Sequence, residues 1–456
     1  MTNQKLSPAK FTLLGFQHMF AMFGATILVP ILTNQYFTEL DGTQSGLSIR
    51  VTLFFAGFGT LFFHFCSKFK VPAFLGSSFA FLGGYAAIAQ LNSGMYANMT
   101  MAEKLPYACG GMVVAGLLYL ILAFIMKVVG VKKVMRFLPP VVTGPIIILI
   151  GMSLSGSAVQ NCSNNWWLAI LALAIVVIAN IWGKGMIKII PILMGVLASY
   201  IVAAVTGNVD FTAVKEAAWV GLPVLWENTG LSVFTGDTDW GMVITSIITI
   251  MPIAFATMME HVGDISAIGG TVGKNFIKDP GLHRTLVGDG IGTTVAALFG
   301  APANTTYGEN TGVLALTKVY DPFVIKLAAI YAIVLSFCPK FAAIIEVMPS
   351  ATIGGVSLIL YGMISAIGVR NVVENRTNFQ ESRNVIVAAI ILGLAVGINY
   401  SDAAAIPIVI GEITINMTGL AVASIVGILL NAILPGKDYH FAEDPDETLA
   451  SSLGKY

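Results

Sequence analysis

Charge is what this sequence has least of. Only 11% of its 456 residues are Asp, Glu, Lys or Arg, against about 25% in an ordinary soluble domain. Acidic and basic residues number 24 each and cancel to a formal net charge of +0, which argues against a nucleic-acid partner. Cysteine is scarce as well. Cys66, Cys109, Cys162 and Cys338 are scattered without Cys-x-x-Cys spacing, and read as small apolar residues within helices rather than metal ligands. Gly-x-Ser-x-Gly, His-Glu-x-x-His and the Walker A pattern are all missing, and no nucleotide-binding domain is present. These absences argue against a hydrolase, a metalloenzyme and an ATP-driven pump. No enzyme activity, metal or cofactor is expected.

What is there is apolar. Hydrophobic residues make up 56% of the chain, and the stretch "FTLLGFQHMFAMFGATILVPIL" (11–32) holds no charged side chain. About 20 such residues suffice to cross roughly 30 Å of hydrocarbon. Lys5 and Lys10 precede it as in a signal peptide, but the run is too long for that, and no small-residue cleavage site follows. It reads as the first helix of the mature protein.

Fourteen apolar segments are expected, near 11–32, 47–66, 72–90, 108–129, 139–159, 166–182, 187–206, 241–262, 283–299, 303–317, 323–339, 349–367, 385–400 and 415–434. An even count places both termini on one side. With a cytoplasmic N-terminus, only Arg50, Lys104, Lys215 and Lys340 of the 24 basic residues fall outside, the bias expected of cytoplasmic loops. The hydrophilic stretch 207–240 divides the spans into two sets of seven. Because seven is odd, the second set enters from the opposite face. The fold class is therefore an all-α polytopic membrane protein with two inverted seven-span repeats.

The third segment of each half looks broken. "PAFLGSSFAFLGG" (72–84) and "PANTTYGENTG" (302–312) both open on proline, are interrupted by glycine and are rich in hydroxyl groups. Paired interruptions of this kind are the best sequence pointer to a carrier's midplane site. Backbone left unpaired at that depth must face protein or a watery cavity, because hydrocarbon cannot satisfy it.

Carboxylates gather in the second half. Glu260 and Asp264 stand four apart, on one helix face. Glu309 lies in the broken tenth segment. A charge at this depth costs at least ~2.5–3.5 kcal/mol and marks function by default. Asp289, among glycines, reads as a helix-packing or supporting group. His261 points about a quarter turn away from Glu260, and His18 reads as a hydrogen-bonded packing residue. Without ATP, any energy must come from an ion gradient, and a carboxyl sheltered from water is a natural proton carrier.

"ENTGVLALTK" (309–318) resembles the signature of the nucleobase–ascorbate transporter family: an acidic or amide residue, Asn-x-Gly-x-x-x-x-Thr, and a basic residue. Here these are Glu309, Asn310, Gly312, Thr317 and Lys318. "QHMFAMFGATILVP" (17–30), "LGSSFAF" (75–81), "EHVG" (260–263), "DPGLHR" (279–284) and "NTTYGEN" (304–310) are similar to stretches of the family's bacterial uracil-permease branch. The resemblance runs from the first span to the last.

The resemblance implies fourteen spans in two inverted repeats, with short extended strands in spans three and ten. It implies a core domain from 11–137 and 241–339, a gate domain from 138–206 and 345–435, and a cytoplasmic tail, 436–456. It further implies proton symport of a nucleobase, most simply uracil, by alternating access of core against gate, in a homodimer of the bacterial cytoplasmic membrane. Carried over by position, the base-binding residues are Phe79, Glu260, Gly308 and Glu309, with Ala25 as a neighbour. Ser78, His261, Tyr307 and Asn310 support them, and Glu309, Glu260 and Asp264 are the proton-coupling group. One position departs from the family pattern: where "EHVGH" is common, this chain reads "EHVGD", with Asp264 in place of the histidine.

Uracil offers two N–H donors and two carbonyl acceptors. Carboxylates at Glu260 and Glu309 can accept from the first, and free backbone N–H groups at Phe79 and Gly308 can donate to the second. A regular helix would have used those donors itself. Two rivals remain. A xanthine or purine carrier of the same family would share the site. A sulfate-type anion exchanger with the same seven-plus-seven plan would want a cation near the broken segments, where only acids are found.

Overall fold

The computed structural model describes residues 7–38, 45–91, 98–223, 229–234, 238–401, 405–410, 413–436 and 439. The tail assigned to 436–456 lies almost wholly outside the described residues, as do Lys5, Lys437 and Lys455.

Each of the fourteen apolar segments carries a helix. In chain order these are α1 (Pro8–Tyr36), α2 (Ile49–Cys66), α3 (Leu82–Ala89), α4 (Met101–Val129), α5 (Pro140–Ser163), α6 (Trp166–Ile181) and α7 (Pro191–Val205). The second half adds α8 (Trp240–Val272, with a 3-10 turn at Met251–Ile253), α9 (Leu282–Leu298), α10 (Gly308–Thr317), α11 (Pro322–Ser336), α12 (Ser350–Glu374), α13 (Ser382–Asn399) and α14 (Gly419–Ile433). Among the described residues, seven helices are long and apolar enough to cross a membrane, or eight if α11 and Pro339–Glu346, bent by 86°, form one span.

Polar caps mark where several helices leave their loops. Ser7 accepts from the Lys10 amide at the start of α1, and Thr100 and Glu103 form a reciprocal capping box on α4. Asn165, Asp239 and Thr418 cap α6, α8 and α14. Each supplies an acceptor to an amide the helix itself cannot use. α10 and the 3-10 turn Phe79–Phe81 that leads into α3 start without any side-chain cap.

Between α2 and α3 the chain is extended as β1 (Leu75–Ser77), and before α10 as β2 (Asn304–Thr306). The two strands pair antiparallel, with Gly76 opposite Thr305. A second hairpin, β3 (Ala405–Ile410) with β4 (Ile413–Thr418), separates α13 from α14. The fourteenth apolar segment was expected from 415; its first residues belong to this hairpin, and α14 begins only at Gly419. Ile, Val and Thr dominate both strands, and such β-branched residues favour extended backbone.

Helix packing follows a rule of seven. α9 packs on α4, and α2 on α11; α1 packs on α11, and α8 on α4. α6 packs on α7, and α13 on α14; α12 packs on α6, and α5 on α13. Adding or subtracting seven turns each pair into its partner, while α2–α9 and α5–α12 map onto themselves. Large apolar side chains remain exposed around the rim, among them Phe124, Trp167, Ile181, Val205 and Ile433. Apolar surface on this scale marks contact with a membrane or a partner.

Candidate functional site

The site is built from the crossing of β1 and β2, and two helices clamp that crossing. α2 and α9 meet at Gly59 and Gly292, where a Cβ on Gly292 would sit 3.5 Å from the Gly59 Cα. Small residues let the backbones approach this closely. The next residue in each helix is threonine. Thr60 Oγ1 accepts from the Leu75 N–H at 2.9 Å, and its one proton is shared between the Ala56 carbonyl of its own helix at 2.7 Å and the Leu75 carbonyl at 3.2 Å. Thr293 Oγ1 accepts from the Asn304 N–H at 3.2 Å and donates to the Asn304 carbonyl at 3.0 Å. Each hydroxyl thus reaches both backbone groups of one buried strand residue; left without a partner, such a group costs about 1–3 kcal/mol.

The strands bind one another with the same reciprocity. Ser78 N–H donates to the Ala303 carbonyl at 2.8 Å, and Tyr307 N–H to the Phe74 carbonyl at 3.0 Å. At Gly76 there is no room for a side chain: a Cβ would come within 2.5 Å of the Tyr307 ring. The Tyr307 hydroxyl donates to the Ser77 carbonyl at 2.8 Å and accepts from Thr26 Oγ1 at 3.4 Å, tying α1 to the crossing. Ala25 is buried beside that threonine. Asn310 Nδ2 donates to the His18 carbonyl at 3.0 Å, and so fixes α10 to α1.

Helical conformation begins at Phe79 on one arm and at Gly308 on the other. The first N–H groups of a helix have no partner within it, and neither start is capped. Gly308 is exposed, with open space where a side chain would project. Phe79 is half-buried, its ring edge-on to Tyr361 of α12 at 6.4 Å between centroids. Both starts therefore border the gap between the crossing and the facing helices.

The acids enter this gap from α8 and α10. Glu260, Asp264 and Glu309 are half-buried, and Glu260 lies within electrostatic reach of Asp264, Glu309 and Asp289. Glu260 makes no side-chain hydrogen bond among the described residues, whereas the Asp264 carboxylate accepts from Thr306 Oγ1 at 2.7 Å. Asp264 is thus tied to β2. Its neighbour His261 turns the other way, fully buried, with Nδ1 2.9 Å from Asp289 Oδ2 on α9. The structure therefore makes His261 a strut between α8 and α9, with Asp289 as its partner.

The crossing thus gathers Phe79, Glu260, Gly308, Glu309, Asp264, Ser78, Tyr307 and Asn310. The clamp itself was not anticipated from sequence. Its signal is a Gly-x-Gly-Thr repeat in the second helix of each half, Gly57–Thr60 and Gly290–Thr293. At the membrane edge, outside the spans, Lys70 pairs with Asp279 at 2.5 Å, and that contact holds the Asp279 carboxyl below the usual carboxylate range. No group of three or more His, Cys, Asp or Glu among the described residues is placed to hold a metal.

Broken, strand-paired segments flanked by buried acids define a membrane carrier. A family model described as "Permease family" matches residues 9–404. The chain belongs to that family, the nucleobase–ascorbate transporters, and is an integral membrane protein, not an enzyme. It is 37% identical to the uracil permease of Bacillus caldolyticus, over 93% of this chain and 92% of that protein. It is 35% identical to the uracil permease of Escherichia coli (strain K12), over 95% of each, and 34% identical to that organism's putative pyrimidine permease RutG, over 95% and 92%. In fold it is similar to the transmembrane domain of a cyanobacterium bicarbonate transporter, BicA, with TM-score 0.55 at 14% identity, over 92% of this chain and 97% of that one. It is also similar to SLC26A9, with TM-score 0.61 at 11% identity, over 93% and 65%.

Proposed function

We propose that this chain imports a nucleobase, uracil, together with a proton. The observation that carries the reading is the meeting of two uncapped helix starts, at Phe79 and Gly308, with the carboxylates of Glu260 and Glu309. A planar ring with donors and acceptors on its edges matches that set: the amides donate to its carbonyls and the acids accept from its N–H groups. A lookalike missing one edge group would leave a buried partner unpaired, at about 1–3 kcal/mol. The names of the relatives support uracil over xanthine or another purine. An anion exchanger is disfavoured because the crossing presents carboxylates and no cationic side chain, and the likeness to anion carriers is one of fold.

In this reading the fourteen helices are fourteen spans in two inverted repeats, and the rule-of-seven packing supports it. The core comprises 11–137 and 241–339 and moves against a gate of 138–206 and 345–435. Both termini are cytoplasmic, in the bacterial cytoplasmic membrane, and the carrier works as a homodimer. Glu309 takes up the proton, within a set that includes Glu260 and Asp264. Carboxyls this close titrate as a group. Asp264, bonded to Thr306, couples the charge of that set to the position of β2.

The test is uptake of labelled uracil into proteoliposomes, with and without an inward proton gradient, challenged by excess unlabelled uracil, xanthine and sulfate. Gradient-driven uptake blocked by uracil alone is expected. Preferential block by xanthine would move the substrate to the purine branch, and block by sulfate would overturn the nucleobase reading.

A further inference from the structure

Away from the crossing, a cavity of about 430 Å³ opens between the C-terminal ends of α3, α5 and α13, the foot of the β3–β4 hairpin and the start of α14. Its size falls in the range of small-molecule sites, about 300–1,000 Å³. Among the described residues that line it there is no Asp, Glu, Lys, Arg or His. Three carboxamides line it instead, Gln90, Gln160 and Asn399, and none of them makes a side-chain hydrogen bond among the described residues. Each is exposed and offers both donors and an acceptor. Ser153 and Ser157, one turn apart on α5, also line it. Their hydroxyls donate to the Ile150 and Leu154 carbonyls of their own helix at 3.0 and 2.7 Å. Tyr36 at the end of α1 completes the polar wall.

This chemistry selects. Among the described lining residues an anion would find no cation, and a cation no carboxylate. A neutral, compact molecule with alternating donors and acceptors would find a partner for every edge. On α3 the cavity lies near the crossing in sequence: Gly83 lines it and stands one helical turn beyond Phe79.

We propose that this cavity is an access subsite where a neutral nucleobase is held by Gln90, Gln160 and Asn399 before it passes to the crossing at Phe79 and Gly308. The proposal rests on the nucleobase reading above and adds a second, weaker position for the same ligand. The hairpin forms its outer lip, which explains why a sheet interrupts the chain between two membrane helices. Under the orientation given above, every element end around the cavity lies on the outer side, where an imported base would arrive.

The experiment uses the full chain. Equilibrium binding of labelled uracil is followed from micromolar to millimolar concentration in detergent, and initial uptake is measured in proteoliposomes. Wild type should show a tight and a weak component. The double variant Gln90→Leu/Asn399→Leu, and separately Gln160→Leu, should lose the weak component and keep the tight one, which also reports intact folding. The KM for uptake should rise about three- to tenfold, the effect of losing one or two neutral hydrogen bonds. A single component in wild type, or an unchanged KM in both variants, overturns the subsite while leaving uracil transport standing. No binding of uracil by any form overturns the nucleobase reading and the subsite with it.

Discussion

The two arms of the crossing share a scaffold and differ in chemistry. β1 and β2 are each held by a threonine that follows a glycine, on α2 and α9 respectively, and each runs into an uncapped helix. The first arm is then neutral: Ser78 and Phe79 precede α3, and α1 carries no charged residue between 11 and 32. The second arm holds the acids. Glu309 opens α10, and Glu260 and Asp264 reach in from α8. The difference teaches that repeating a fold can build a binding frame symmetrically while one half alone supplies the charge. In the proton-symport reading a single acidic side takes up the proton beside the substrate, whereas carboxylates on both arms would multiply the cost of burying charge.

Substitutions can break this comparison, and the largest effect is expected at Glu309. Glu309→Gln removes a charge that the neutral arm never had. A potential of 100 mV drives one charge with about 2.3 kcal/mol, enough for about fifty-fold accumulation. That accumulation should collapse to simple equilibration in proteoliposomes, and concentrative uptake persisting in the variant would remove Glu309 from the coupling step.

Next in size is Glu260→Gln, which keeps the shape but loses a charged acceptor. The apparent Kd for uracil should rise about ten- to a hundredfold, read by equilibrium binding. Unchanged affinity would place the base elsewhere along the crossing.

The scaffold itself predicts equality. Thr60→Val and Thr293→Val each leave a buried strand N–H and carbonyl without a partner, and each should cost about 1–3 kcal/mol of stability. Thermal unfolding of the purified protein should show matched losses. A large inequality would mean that the arms are not mechanically equivalent.

Smallest of all is Asp279→Asn, at the exposed Lys70 pair. Uptake should be unchanged, as for most surface ion pairs. The Asp279 carboxyl is held low in the folded chain, so its contribution to stability is present above the ordinary carboxylate pKa of about 3.9 and is lost as the pH falls below it. Only an acid-stability scan should separate this variant from wild type.

Much of this was legible along the chain. Apolar length set the helices, because a span must carry enough hydrocarbon-compatible residues in one run. Proline, glycine and hydroxyl groups marked 72–84 and 302–312 as broken, because such residues cannot keep a helix ladder closed. Glu260, Asp264 and Glu309 stood out because charge is costly at that depth. The start of α14 was misplaced because "ITINMT" is as apolar as a helix, and only its pairing with β3 reveals a strand.

The sequence alone thus determined composition-driven properties: the membrane class, the helix inventory and the acids worth asking about. Only the tertiary structure decided partners. It put Gly76 against Tyr307, Thr306 on Asp264, and His261 on Asp289 rather than beside Glu260. Hydropathy acts residue by residue and can be read in order, whereas contacts between separate segments, within one half or across the two, depend on how the chain packs.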